Sequence, residues 1–267
     1  MILPPPGPDR QANRRRLAEL LAGLYPEAPD EARPGAWTGG REAARERLAR
    51  WTAQGYAATR NSLLPGHRNV SGLSPFLRHG VLSLREVAAH IRQACPEPAD
   101  RSKFWAELGW RVFWQLIYRV RGRNIYQNLE APKVPLGAAP WPGDLEQGRT
   151  GLACMDAFVA ELKSTGWLHN HARLWLAAYV VHFRKIRWQE GERFFYRHLL
   201  DGDPASNALS WQWVASTFSH KPYIFNRDNL ERHTGGRYCR TCTAACPFEG
   251  TYPEIERRLF PPGRPHA

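Results

Sequence analysis

The stretch Asp201-Gly202-Asp203-Pro204-Ala205-Ser206-Asn207-Ala208-Leu209-Ser210-Trp211-Gln212-Trp213 packs turn chemistry, two carboxylates and two large aromatics into thirteen positions. Asp201-Gly202-Asp203-Pro204 reads as a turn, because an Asx-type carboxylate bonds nearby backbone donors and proline cannot continue a strand ladder. The residues beyond Pro204 read as a helix carrying Trp211 and Trp213. Such a turn holds Asp201 and Asp203 at the mouth of an aromatic pocket. The plainer reading is a capped helix that docks two core tryptophans.

Working outward, the chain predicts helices and no parallel sheet, since no alternation of strand and helix patterns is visible. Arg41 to Gln54 has amphipathic spacing with Ala44, Leu48 and Trp51 as its apolar positions. Asn13 to Leu24 and Phe104 to Val120 also have helical spacing, and 167–187 is expected to be a helix, apolar nearly all round between Leu174 and Val181. Glu107, Trp110, Arg111 and Trp114 stand at i, i+3, i+4 and i+7, so they share a face on which Glu107 and Arg111 can pair. The fold class expected is all-α. Residues 1–34 read as an N-terminal extension, in part disordered with one helix; 35–255 as the helical domain; 256–267 as a C-terminal tail.

At 43% hydrophobic residues the 267-residue chain can bury a sizeable core. No apolar run reaches ~18 residues and the N-terminus lacks a secretory pattern, which points to a cytoplasmic protein with no membrane span. A net charge of +12 favours polyanionic partners, nucleic acid above all. Tyr238-Cys239-Arg240-Thr241-Cys242-Thr243-Ala244-Ala245-Cys246-Pro247-Phe248 spaces three thiols as C-x2-C-x3-C, a density that in a cytosolic chain suits metal more than disulfides. Cys95 stands apart as an apolar filler.

Gly166-Trp167-Leu168-His169-Asn170-His171-Ala172-Arg173, then Trp188-Gln189-Glu190-Gly191-Glu192-Arg193, then the Asp201–Trp213 stretch, together resemble the flavin-binding helical domain of the DNA photolyase and cryptochrome family. Val70-Ser71-Gly72-Leu73-Ser74-Pro75-Phe76-Leu77, with Tyr56 upstream, is similar to the family's flavin-diphosphate motif; Val70 and Gly72 replace a usual Thr and a frequent Arg. The resemblance implies a helical FAD-binding domain in which Tyr56, Ser71, Gly72, Leu73, Ser74, Arg111, Arg173, Asp201, Asp203 and Asn207 hold the cofactor. It implies an Arg173–Asp201 pair beside the flavin ring and Asn207 near flavin N5. Glu107, Trp110, Asn170 and Trp213 would line a lesion cavity, and Trp211 and Trp188 would begin a tryptophan relay. Arg119, Arg121 and Arg123 follow directly and suit a DNA backbone.

The activity so implied is blue-light-driven repair of pyrimidine dimers in UV-damaged DNA, by electron transfer from reduced FAD to a flipped-out lesion. A photosensor or redox flavoprotein that keeps FAD without repair is the alternative, and a metal-stabilised helical nucleic-acid-binding protein is a third. Photolyases normally carry an N-terminal antenna domain, which this chain is expected to lack, so a separate antenna or redox partner protein is implied. Gly148-Arg149-Thr150-Gly151-Leu152-Ala153-Cys154-Met155-Asp156 and the C-terminal block are similar to the bacterial members that hold an iron–sulfur cluster. That likeness makes Cys154, Cys239, Cys242 and Cys246 the ligands of a [4Fe–4S] cluster, with zinc as the alternative.

Overall fold

The computed structural model describes residues 5, 7–22, 37–64 and 70–261. Helices run in the order α1 (Arg10–Ala22), α2 (Arg41–Arg50), α3 (Tyr56–Thr59), α4 (Ser74–Arg78), α5 (Leu84–Ala94), α6 (Pro98–Arg121) and α7 (Gly143–Gln147). They continue as α8 (Ala153–Thr165), α9 (Asn170–Ala178), α10 (Trp188–His198), α11 (Pro204–Ala215), α12 (Arg227–Thr234) and α13 (Tyr252–Leu259). No strand occurs among the described residues; a lone bridge joins Ala139 and Ile186. The all-α expectation holds. None of these helices is long and apolar enough to cross a membrane.

Two compact units are separable, Met1–Trp37 and Thr38–Ala267. The first contains α1; the ends of the N-terminal extension and most of the Pro26–Gly40 loop lie outside the described residues, as do 262–267 of the tail. The second unit has two main cores. One gathers Phe158, Trp175, Trp211, Phe225 and Phe248 from α8 to α12 and the segment after it. The other gathers Leu73, Phe76, Val87, Ile91 and Phe104 from the α2–α6 half. Trp114 and Ile125 pack against Ala205, Ala208 and Leu209, which seats α6 on α11.

Two expected helices are shortened and a third is extended, each for an identifiable reason. α2 stops at Arg50 because Trp51 is extended and Ala53 takes a left-handed φ of 57°. The segment 167–187 is helical only from Asn170. His169 Nδ1 caps it by accepting from the His171 N–H at 3.1 Å, after Gly166 has closed α8. It widens into a π turn at Tyr179–Phe183, and Lys185 at φ 55° stops it. α6, by contrast, begins six residues before the expected start, with Pro98 at its first position.

Candidate functional site

Within the second unit, α3, α4, α6, α9 and α11 surround a cavity of about 630 Å³. That volume suits a cofactor-sized ligand. Its lining includes Tyr56, Ser71, Ser74, Glu107, Trp110, Arg111, Asn170, Arg173, Asp201, Asp203, Asn207, Trp211 and Trp213. Residues up to ~150 positions apart in the chain thus meet on one surface. Gly72, Leu73 and Trp188 do not line it. Gly72 takes φ 62°, which frees the turn into α4, and Leu73 is buried in the neighbouring core. Trp188 is also buried, its indole N–H donating to Asn128 Oδ1 at 2.8 Å.

The Asp201–Pro204 turn is as its composition predicts. Asp203 caps α11 by accepting from the Ser206 N–H at 2.7 Å. The same carboxylate accepts twice from Gln115 Nε2, at 2.8 and 2.7 Å, and faces Arg111 at 3.6 Å and Arg78 at 4.0 Å. Arg78 also donates to the Gly202 carbonyl at 2.6 Å, so α4 is latched to the turn. Arg173 pairs with Asp201 at 2.9 Å, as expected, and its Nε donates to the Leu168 carbonyl.

Glu107 does not pair with Arg111. It takes Lys103 at 2.7 Å and Arg60 at 3.6 Å, while Arg111 is turned to Asp203. The helical spacing permits either partner, and packing of α6 on α11 selects between them. Asn207 donates its amide to the Glu192 carbonyl and to Glu192 Oε1 at 2.9 and 2.8 Å, which fixes the amide's orientation. Burial pushes the Glu192 carboxyl above its ordinary value, opposed by that hydrogen bond. Trp211 lies against the backbone of α10: a Cβ at Gly191 would come within 2.2 Å of its ring. Trp213 packs on Tyr223 and Trp110 on Trp114.

Several contributors escape a reading of the sequence. Asp100 accepts from the Gly55 and Ala57 N–H groups at 2.6 and 2.8 Å, orienting the turn that carries Tyr56. Gln115, Arg78 and Glu192 act through contacts that span 15 to 124 positions. His171 reaches the cavity with Nδ1–H donating to the Asn61 carbonyl, and burial holds its pKa down to about 4. Three buried polar atoms of lining residues have no hydrogen-bond partner: Asp201 Oδ1, Ser206 Oγ and Trp211 Nε1. A buried polar atom left unpaired is costly, so a ligand rich in polar groups fits here.

A second, smaller cavity of about 50 Å³ is lined by Cys154, Cys239, Cys242 and Cys246, with Leu152, Arg227, Tyr238 and Phe248. Asp156 shapes its approach by accepting from the Thr150 and Gly151 N–H groups, which places Cys154 in the first turn of α8. Burial, reinforced by the neighbouring thiols, pushes the Cys154 pKa up to about 12. Burial and the nearby Glu231 push that of Cys239 to about 11. Among the described residues no three His, Cys, Asp or Glu side chains are gathered closely enough to hold a metal ion.

Comparisons with known proteins place this helical unit, with its polar, aromatic-lined cavity, in a family. The family profile for the FAD binding domain of DNA photolyase matches residues 104–240. The chain belongs to that family. It is 33% identical over 217 residues to the deoxyribodipyrimidine photo-lyase of Alkalihalophilus pseudofirmus, covering 76% of this chain and 44% of that protein. With the enzyme of the same name from Vibrio cholerae it shares 36% identity over 175 residues, 61% of this chain and 37% of that one. A bacterial class III photolyase structure from Agrobacterium tumefaciens superposes with a TM-score of 0.65 at 27% identity, over 84% of this chain and 51% of that chain. An archaeal photolyase from Sulfolobus tokodaii, solved with two FAD molecules, gives 0.63 at 26% identity, over 76% and 46%. The chain therefore spans less than half the length of the curated relatives it matches.

Proposed function

We propose that this chain binds FAD in the large cavity and acts as a blue-light-driven deoxyribodipyrimidine photolyase on UV-damaged DNA. The observation that carries the reading is a single surface. The residues expected to hold the cofactor (Ser71, Ser74, Arg111, Arg173, Asp201, Asp203, Asn207) and those expected to hold the lesion (Glu107, Trp110, Asn170, Trp213) line one cavity. Bound in reduced form, FAD supplies the excited electron that splits a pyrimidine dimer.

The chain's own residues supply position and charge. Arg173 and Asp201 form a fixed ion pair, and Arg111 and Arg78 offset Asp203. Glu192 holds the Asn207 amide in one orientation. Trp110 and Trp213 offer ring faces to a flipped base, and Arg119 and Arg121 in the last turn of α6, with Arg123 just after it, stand exposed for phosphates. The FAD-binding domain so assigned is 35–255, with packing carried on to Leu259 in α13. Trp211 and Trp188 are assigned to the electron relay. Light energy or electrons delivered by a separate antenna or redox protein belong to the same reading.

We assign the second cavity to a metal centre held by Cys154, Cys239, Cys242 and Cys246. Four thiols suit a [4Fe–4S] cluster, and zinc is the alternative for the same donors. Support comes from the meeting, around one small cavity, of the buried Cys154 with three half-buried thiols that begin 85 residues further on. The tests are direct. The purified protein is expected to show flavin absorption, to bind a thymine-dimer duplex more tightly than an undamaged one, and to restore the thymines under blue light. Flavin without damage preference or repair leaves the photosensor or redox reading. Iron with acid-labile sulfide, lost on Cys154→Ser and not on Cys95→Ser, is the outcome expected for the cluster; a Cys154→Ser protein with full metal content refutes the ligand set.

A further inference from the structure

Four rings from two stretches of chain form one aromatic cluster at the cavity rim. Trp110 and Trp114 of α6 line the cavity, whereas Phe113 of α6 and Phe218, just past α11, do not. Trp110 meets Phe113 at 5.8 Å between ring centres and Trp114 at 5.3 Å. Phe113 in turn lies parallel to Phe218, 6.3 Å away with 7° between the planes. Trp114 sits against both phenyl rings, at 5.2 and 5.9 Å. The cluster therefore runs without a break from inside the cavity to the outer surface of α6.

Core packing accounts for only part of it. Trp114 is buried against Ala205, Ala208 and Leu209 and anchors the group, with Phe218 half-buried beside it. Trp110 is 47% exposed and Phe113 40%. Their planes stand 78° apart. Bases within one stack are parallel, so this corner does not suit a continuous stack. It suits two neighbouring bases that have been turned away from each other, which is the situation beside a base flipped out of its stack. Trp110 reaches into the cavity, so the flipped base belongs to Trp110 and its neighbour to Phe113. Aromatic side chains hold unstacked bases regardless of sequence because every base has a π-face. The charge on either side has the sign that phosphates require: Arg119 and Arg121 are exposed further along α6, and Lys221 is exposed three residues past Phe218.

We propose that Phe113, backed by Phe218, is a stacking site for the nucleobase next to the lesion on the damaged DNA strand. This rests on the reading of the large cavity as the lesion site, and adds to it a contact outside the cavity. The occupant is a base of the same strand, because a ring in direct contact with Trp110 is within one nucleotide's reach of the base that Trp110 holds.

Single-stranded oligonucleotides with one thymine dimer, carrying either a base or an abasic residue at each flanking position, test this on the purified chain. The parent should bind about fivefold more weakly when one of the two neighbours is abasic, the low end for loss of a base–aromatic stack because Phe113 is half open to water. Phe113→Ala and Phe113→Leu should each bind the base-flanked strand about fivefold more weakly than the parent, and should be indifferent to the abasic replacement. Leucine keeps an apolar contact with Phe218 and Trp114, so a Phe113→Leu protein with the parent's melting temperature and flavin content isolates the ring face. Stacking adds no charge, so neither variant should change the slope of affinity against salt, whereas Arg121→Ala should lower it by ~0.7. A parent that does not prefer the dimer strand to its undamaged counterpart overturns the reading of the cavity and this inference with it. A parent that prefers the dimer strand but is indifferent to both abasic neighbours overturns the inference alone. So does a Phe113 variant that weakens binding only in duplex DNA, which would give the ring to the opposite strand.

Discussion

Gly191 to alanine is the smallest change with a large expected effect. A Cβ at this position falls 2.2 Å from Trp211 Cη2, 2.5 Å from Cζ3 and 2.8 Å from Cζ2. The obstacle is a fully buried indole on α11, which also meets Phe195, one turn further along α10 from Gly191, at 5.0 Å between ring centres. Relief demands that the ring or α10 move by about 1 Å in a close-packed interior. Overpacking of that kind costs roughly 1–3 kcal/mol. Alanine recovers up to ~1 kcal/mol through its better helix propensity, which leaves a net loss of about 1–2 kcal/mol. For a unit of this size that lowers the melting temperature by roughly 2–8 °C. Trp211 lines the cavity, so flavin content and tryptophan fluorescence should change as well. Shortening the obstacle gives the control: in a Trp211→Phe background the same alanine should be nearly neutral, and a double-mutant cycle should return a coupling of about 1–2 kcal/mol. A Gly191→Ala protein as stable as the parent, or the same penalty in both backgrounds, would refute the claim that this glycine exists to admit the indole.

Asp201→Ala strands Arg173 and should cost roughly 3 kcal/mol by denaturant titration, the low end for a buried pair because the Arg173 side chain stays 21% exposed. Adding Arg173→Met should recover most of that loss, and no recovery would show that the pair is not the cause. A pH series on the folded protein should find stability full above about 6.5 and falling as pH drops toward 4. Burial holds His171 and His182 near 4, below their ordinary 6.5, so between those values the unfolded chain binds protons that the folded chain refuses. Each contributes at most roughly 3 kcal/mol over that window, and His182→Gln should flatten the profile; an unchanged slope would count against it.

Much of the local architecture was legible in the sequence because it depends on neighbours within a turn or two. Asp203 caps α11 because a carboxylate before Pro204 reaches the N–H three residues on. The amphipathic spacing of Arg41–Gln54 picks out Ala44 and Leu48, which are buried, without any knowledge of partners. Helical spacing over Phe104–Val120, by contrast, does not tell that Phe113, Leu116 and Val120 stay exposed. Family motifs marked Arg173 and Asp201 as a pair, and the two meet. Spacing alone overextended the helix after Trp167, because nothing local announces the cap at His169 or the positive φ at Lys185.

Partner choice belonged to the tertiary structure. Glu107 had Arg111 at an ideal helical interval, yet it takes Lys103 and Arg60, because Asp203 from α11 draws Arg111 to the other side. Gln115 and Arg78 bond the same turn from 88 and 124 positions away, and no local pattern singles them out among the chain's other amides and guanidinium groups. The contact of Gly191 with Trp211 and the shared cavity of Cys154 with the C-terminal thiols arise in the same way. Sequence periodicity fixes which face of an element is apolar, at a cost of a few residues of context. Which of several near-equivalent donors meets a buried carboxylate is decided only when whole helices have packed, since close-packing leaves room for one arrangement and excludes the rest.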